Sequence, residues 1–214
     1  MRVALFMSVI VLLLTSCVTA PSYKKAGATT EPMQAGDVNY KLSGLYHRDP
    51  PDCVSVFESD TPDQPVMGKA LSVALARHLG EKVDRVIFPR VRARIAQQQG
   101  YDLNDAIDRA RYASHTRCRF YARAVLYDLG DDYVGVFAKK QVGVMVQMMR
   151  IQDEEPVWQA AHTVWRADGG VPTSPLALVG GVAQAAMFSA DEEIIPSLID
   201  DAMRRMMRTL PLAS

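Results

Sequence analysis

The sequence predicts an α/β fold: a mixed sheet laid down as strand-helix-strand-helix, followed by a three-strand antiparallel meander and a C-terminal helix. Three observations carry this. Between Cys53 and Ala113 short β-branched runs alternate with segments whose apolar residues recur at helical spacing, the order that packs helices onto a sheet. Between Arg119 and Ala167 three long runs are separated only by short polar turns, as in consecutive antiparallel strands. From Ile195 to Met207 the apolar residues return to a helical period. The 214 residues carry Lys+Arg 24 against Asp+Glu 24, with 49% hydrophobic and 22% charged, the balance of one ordinary globular domain or at most two small ones. A formal net charge of zero supplies no electrostatic footprint for a phosphate backbone, so no nucleic-acid partner is expected.

The elements follow in order. Met1-Arg2 is a basic start, and Val3 to Leu14 is apolar except for Ser8. That run is too short for a bilayer core, which needs about 20 residues, and with the small residues after it residues 1–16 read as a secretory signal peptide. Residues 17–50 scatter Pro21, Gly27, Pro32 and Gly36 without any period, so this segment is read as a flexible tether, closed by Asp49-Pro50-Pro51-Asp52. The domain occupies residues 51–214. It opens with the strand Cys53 to Phe57 and a turn through Asp60-Thr61-Pro62-Asp63. Apolar pairs from Val66 to Leu79 then make a one-faced helix ending at Gly80. Arg85 to Phe88 is a short strand stopped by Pro89. After a basic stretch, Asp102 is the N-cap expected for a second helix, whose stripe is Leu103, Ala106, Ile107, Ala110 and Ala113.

The rhythm then changes to alternation. Phe120, Ala122, Ala124 and Leu126 fall on one face of a strand, and Tyr121, Arg123, Val125 and Tyr127 on the other. Gly130-Asp131-Asp132 is the expected first turn and Asp153-Glu154-Glu155-Pro156 the second, with Gly169-Gly170 ending the meander. The last helix is marked by Ser189-x-x-Glu192, a capping-box pattern, and by Ile195, Leu198, Ile199, Ala202, Met203, Met206 and Met207; Pro196 either kinks it or lies in its first turn.

Little in the chain points to catalysis. His47, His78, His115 and His162 are widely separated, and no metalloprotease, nucleophile-elbow or phosphate-loop motif is present. The sequence is read as non-enzymatic, with no cofactor and no metal site. Candidate binding residues are the cluster Arg85, Arg90, Arg92 and Arg94, which concentrates positive charge on a neutral chain, against the plainer reading of a solvated face. Trp158 and Trp165 are seven apart, so in a strand they face opposite ways and only one can be core. Leu176 to Phe188 is almost wholly apolar or small, and is either a buried helix or an exposed docking element. Cys53 and Cys118 either pair, which would stabilise the fold by roughly 4 kcal/mol, or sit apart as buried thiols.

Leu14-Thr15-Ser16-Cys17 resembles the lipobox of bacterial lipoproteins. That resemblance implies cleavage before Cys17, acyl chains on Cys17, and membrane attachment without a protein span; Val18 in place of Asp favours the outer membrane. The element order, with Phe120-Tyr121-Ala122-Arg123-Ala124-Val125-Leu126-Tyr127 and Glu154-Glu155-Pro156-Val157-Trp158-Gln159, resembles outer-membrane lipoproteins with a TolB-amino-terminal-like domain. That group contains the curli-secretion lipoprotein CsgG, the Pel exopolysaccharide lipoprotein and the neisserial surface lipoprotein family. His115-Thr116-Arg117-Cys118-Arg119 stands where those relatives carry a gly-ala-asp phrase. The resemblance implies that the first and third domain strands are neighbours with Cys53 and Cys118 near their starts, which favours a disulfide. It also implies a lipid-anchored periplasmic accessory or assembly subunit of an envelope secretion or surface-structure system. Such a subunit would self-associate or hold an envelope protein partner. The alternative expectation is a glycan- or lipid-binding lipoprotein using the arginine cluster and Trp165.

Overall fold

The computed structural model describes residues 22–25, 37–59, 61, 64–169 and 175–212. The chain forms β1 (Tyr23–Lys25), β2 (Val38–Leu42), α1 (Gly44–Arg48), β3 (Cys53–Val56), α2 (Pro65–Leu79), β4 (Arg85–Ile87), α3 (Pro89–Gln99), α4 (Ala106–Thr116), β5 (Phe120–Val134), β6 (Phe137–Arg150), β7 (Pro156–Gly169), α5 (Pro175–Ala190) and α6 (Ile194–Met207). The strands make one mixed sheet in the order β1-β2-β7-β6-β5-β3-β4. β3 runs parallel to both β4 and β5, while β5, β6 and β7 form the antiparallel meander. The α/β class and the C-terminal helix are those the sequence predicts.

One face of the sheet holds the core. The alternation of β5 puts Phe120, Ala122 and Ala124 there, beside Val54 and Val56 of β3 and Val146 and Met148 of β6, all fully buried. Leu71 and Leu75 of α2 and Leu198, Met203 and Met206 of α6 belong to the same cluster. Trp158 is buried on this face and donates its indole N–H to Thr209 Oγ1 at 3.0 Å. Trp165, seven residues on, is 51% exposed, as strand alternation requires. Cys53 and Cys118 form a disulfide, their Cα atoms 5.1 Å apart, between the starts of β3 and β5.

Several local expectations are corrected. Within the stretch read as tether, β2 pairs antiparallel with β7 and buries Val38, and α1 buries Leu45 and Tyr46, whose hydroxyl donates to the Pro211 carbonyl at 2.7 Å. Val38, Tyr40 and Leu42 alternate, but five residues beside glycine and proline punctuation give too weak a local signal. The basic stretch is a helix, α3, because the proline that stops β4 also supplies a preset first helical residue. The N-cap of α4 is Asp105, whose carboxylate accepts from the Ile107 and Asp108 amides, while Asp102 accepts from Asn104.

Much of the predicted apolar stripe of α4 faces outward: Ala106, Ile107 and Ala110 are exposed, Ile107 at 64%, Leu103 and Ala113 are half-buried, and the helix buries Tyr112 and Thr116 instead. Gly130-Asp131-Asp132 is strand, not turn. Asp131 and Asp132 sit opposite Lys140 and Lys139, pairs that favour continued pairing, and the chain reverses at Gly135, whose φ of 57° suits a residue without a Cβ. A bulge between Leu126 and Asp128 faces Gly143, where a Cβ would come within 2.7 Å of the Tyr127 ring and of Asp128 Cβ. Ser189 lies inside α5 and caps nothing; α6 starts at Ile194, with Pro196 in its first turn.

Candidate functional site

β3 is a point where the connections diverge. α2 carries the chain to β4 on one side of β3, and α3 with α4 carries it back past β3 to β5 on the other. In open α/β sheets such switch points leave a crevice beyond the strand's carboxyl end. Here that crevice is a pocket of about 780 Å³. Phe57, Glu58 and Ser59 enter it straight after β3, Arg92 from α3, Tyr101, Leu103 and Asn104 from the α3–α4 connection, and Arg109 from α4. Tyr121 and Arg123 of β5 and Met149 of β6 share the sheet face opposite the core.

The lining is aromatic and cationic. Phe57 stacks on Tyr121 with ring centroids 4.7 Å apart, and the Arg92 guanidinium lies 5.3 Å from the Phe57 centroid. Arg92 is only 13% exposed at its side chain, and among the described residues its ionic partner is Glu58 at 3.7 Å, beyond hydrogen-bond length. Its Nε is buried without an acceptor, and so is that of Arg109. Arg109 is otherwise well held: it donates to the carbonyls of Leu103 (3.1 Å) and Asn104 (2.7 Å) and pairs with Glu154 in the β6–β7 turn. Arg123 donates to Gln147 Oε1 at 3.0 Å. Beneath the helices Ser55 and Tyr112 share a buried hydroxyl contact of 2.8 Å. Burial pushes the phenols of Tyr112 and Tyr121 above the ordinary tyrosine range, so both stay neutral donors.

A second candidate surface lies at the other end of the meander. The sheet face opposite the core continues past the pocket as Tyr127, Phe137 and Trp165, which are 42%, 39% and 51% exposed. Lys139 Nζ stands 5.9 Å from the Trp165 centroid, and Tyr127 shares a hydroxyl contact of 2.8 Å with Thr163. Behind this region α5 packs Ala185 and Phe188 inward and turns Val179 and Met187 outward, at 69% and 75% exposure. Buried Lys140 donates to the Asp191 carbonyl at 2.9 Å just past the end of α5, a cation placed at the negative pole of that helix.

The sequence-predicted site residues separate. Arg85 donates to the carbonyls of Thr116 and Arg117, both at 2.8 Å, at the end of α4. Arg90 and Arg94 are exposed, and of the four only Arg92 reaches the pocket, because residues two apart on a helix are turned by about 200°. Trp165 belongs to the distal face. Cys17 and residues 171–174 lie outside the described residues, as do the side chains of residues 175–178. Sequence reading missed Arg109, Arg123, Tyr101, Tyr121 and Glu154. The available signal was in α4, where Arg109, Tyr112 and Thr116 recur at i, i+3 and i+7 as a polar stripe beside the alanines.

His78 and the Asp200-Asp201 pair have structural roles: His78 Nε2 lies 2.8 Å from Asp200, and Asp201 pairs with Arg204 and Arg205. His162 is buried, and its Nδ1–H donates to the Asp37 carbonyl at 2.8 Å. Among the described residues no cluster of His, Cys, Asp and Glu could hold a metal ion, and no helix is long and apolar enough to cross a membrane.

No protein-family model matches the chain, and no curated protein does either. Similar solved structures include a PelC dodecamer from Paraburkholderia phytofirmans, 14% identical over 84% of this chain and 100% of that one, with a TM-score of 0.42. Lipoprotein GNA1162 from Neisseria meningitidis is 14% identical over 62% of this chain and 94% of its own, with a TM-score of 0.37. The LpoB C-terminal domain from Salmonella enterica is 12% identical over 56% and 89%, with a TM-score of 0.35.

Proposed function

We propose that this protein is a lipid-anchored periplasmic accessory or assembly subunit, non-enzymatic, held at the outer membrane by acyl chains on Cys17 and working through contacts with copies of itself or an envelope protein. The observation that carries this reading is the distal end of the meander, where an apolar helix and an uncovered aromatic sheet face are exposed on opposite sides of the same three strands. Val179, Val182 and Met187 on one side and Tyr127, Phe137 and Trp165 on the other gather exposed large apolar side chains at one end of the meander, the kind of surface that marks a protein contact. α5 is not a membrane span: its 16 residues extend about 24 Å, short of a hydrocarbon core of about 30 Å.

The test is native mass spectrometry of the full-length protein, extracted in mild detergent without reductant. A lipid-modified species at a multiple of the subunit mass, or with a bound protein, is expected. A lipidated monomer with no protein partner would overturn the assembly reading. Cys17→Ser is expected to move the protein from the membrane to the soluble periplasmic fraction, and its retention on the membrane would remove the lipid anchor from the proposal.

A further inference from the structure

The pocket beside β3 lies apart from the distal surface that carries the assembly reading, and its lining has the chemistry of a ligand site. A guanidinium carries five N–H donors and no acceptor. Arg92 is 13% exposed at its side chain with its Nε buried and unpartnered, and among the described residues it holds only the 3.7 Å pair with Glu58 and the face of Phe57. A buried N–H without an acceptor is costly, and an acceptor brought to Arg92 would relieve it. Three arginines against two glutamates leave the lining net positive. Around them stand the rings of Tyr101 and Tyr121, with Glu58 and Asn104 at hand for hydroxyl groups.

The rim beside Arg92 is braced by Arg109. Arg109 ties the α3–α4 connection to the β6–β7 turn, where Glu154 sits at a φ of 54°, a conformation uncommon outside glycine and enriched at functional sites. The volume is in the range of small-molecule sites, about 300–1,000 Å³.

We propose that this pocket binds a small acidic sugar, its carboxylate or phosphate on Arg92 and Arg123 and its ring against Tyr101 and Tyr121. An oxyanion supplies the acceptors that Arg92 lacks, and guanidinium forks match it in two parallel hydrogen bonds. Arg109 acts as a positioning residue, holding the rim.

The test is isothermal titration calorimetry of the full-length protein in detergent with four probes: glucuronate, a hexose monophosphate, neutral methyl glucoside and inorganic phosphate. Saturable binding of glucuronate or the hexose monophosphate is expected, and whichever binds more tightly identifies the oxyanion. Methyl glucoside and inorganic phosphate are expected to bind at least about tenfold more weakly, since each lacks half of the recognition. Arg92→Gln and the exposed Arg123→Gln are each expected to weaken the acidic sugar by about tenfold or more, with melting curves confirming that each variant is folded. Because Arg123 is exposed, its variant keeps the test open if Arg92→Gln fails to fold. Absence of binding by both acidic sugars up to about 10 mM would overturn the proposal, as would equal binding of inorganic phosphate or methyl glucoside. Unchanged affinity in a folded Arg92→Gln would also overturn it. None of these outcomes bears on subunit mass, so this proposal and the assembly reading fail separately.

Discussion

The two faces of the sheet are built on opposite rules. Under α2 and α6 the strands present valine, alanine, phenylalanine and methionine to leucine, isoleucine and methionine, and the contact is dry and closely packed. Under α3 and α4 the same strands present Ser55, Tyr121 and Arg123, the helices answer with Arg92, Arg109 and Tyr112, and the apolar Val91 and Ile107 point outward. The dry face earns its stability from apolar burial. The polar face gives much of that up, is tied instead by the Cys53–Cys118 disulfide, and keeps room for a ligand. Local chemistry that contradicts the packing rule is where a functional site is to be sought.

This division can be broken in graded ways. Leu75→Ala or Met203→Ala on the dry face should lower unfolding free energy by about 2–5 kcal/mol in urea titrations, and a loss no larger than that of a surface change would refute the assignment of the core to this face. On the polar face the double change Cys53→Ala with Cys118→Ala should cost roughly 2–4 kcal/mol and be mimicked by reductant, whereas reductant should leave the effect of Leu75→Ala unchanged.

Acid provides a third probe, directed at the dry face. Burial holds the His162 imidazole below its ordinary value of 6.5, against the Asp37 carbonyl and the nearby Asp201 and Asp37 carboxylates, which favour protonation, with Arg205 opposing it. The unfolded chain therefore binds this proton more readily than the folded one. The stability contributed is complete above about pH 6.5 and is lost as the pH falls toward the depressed folded value. Urea midpoints should fall on acidification through that window, and His162→Gln should flatten the dependence. Smaller again, Tyr112→Phe removes the partner of Ser55 and should cost about 1 kcal/mol by the same titration. Ile107→Ser, on the outward side of α4, should stay within about 0.5 kcal/mol of wild type, and a larger loss would show that the helix packs apolar side inward after all.

The sequence by itself determined the elements whose signal is local and periodic. α2, α6, the three strands of the meander, and the opposite fates of Trp158 and Trp165 all follow from spacing that one residue's neighbours express. It failed where two local rules compete: Pro89 both ends β4 and begins α3, Gly130-Asp131-Asp132 reads as a turn until Lys139 and Lys140 lie opposite it, and Ser189 sits in a capping pattern inside a longer helix. Tertiary structure decided which side of α4 faces inward, because its alanine stripe is too small to outweigh the seat that Ser55 and Tyr121 provide for Tyr112 and Arg109. It also decided the pocket, whose residues come from positions 57 to 154 and meet only because the chain leaves β3 for β4 and then crosses back past β3 to β5. Periodicity is a property of one segment, whereas a site assembled from loops, two helices and two strands exists only once all of them are packed.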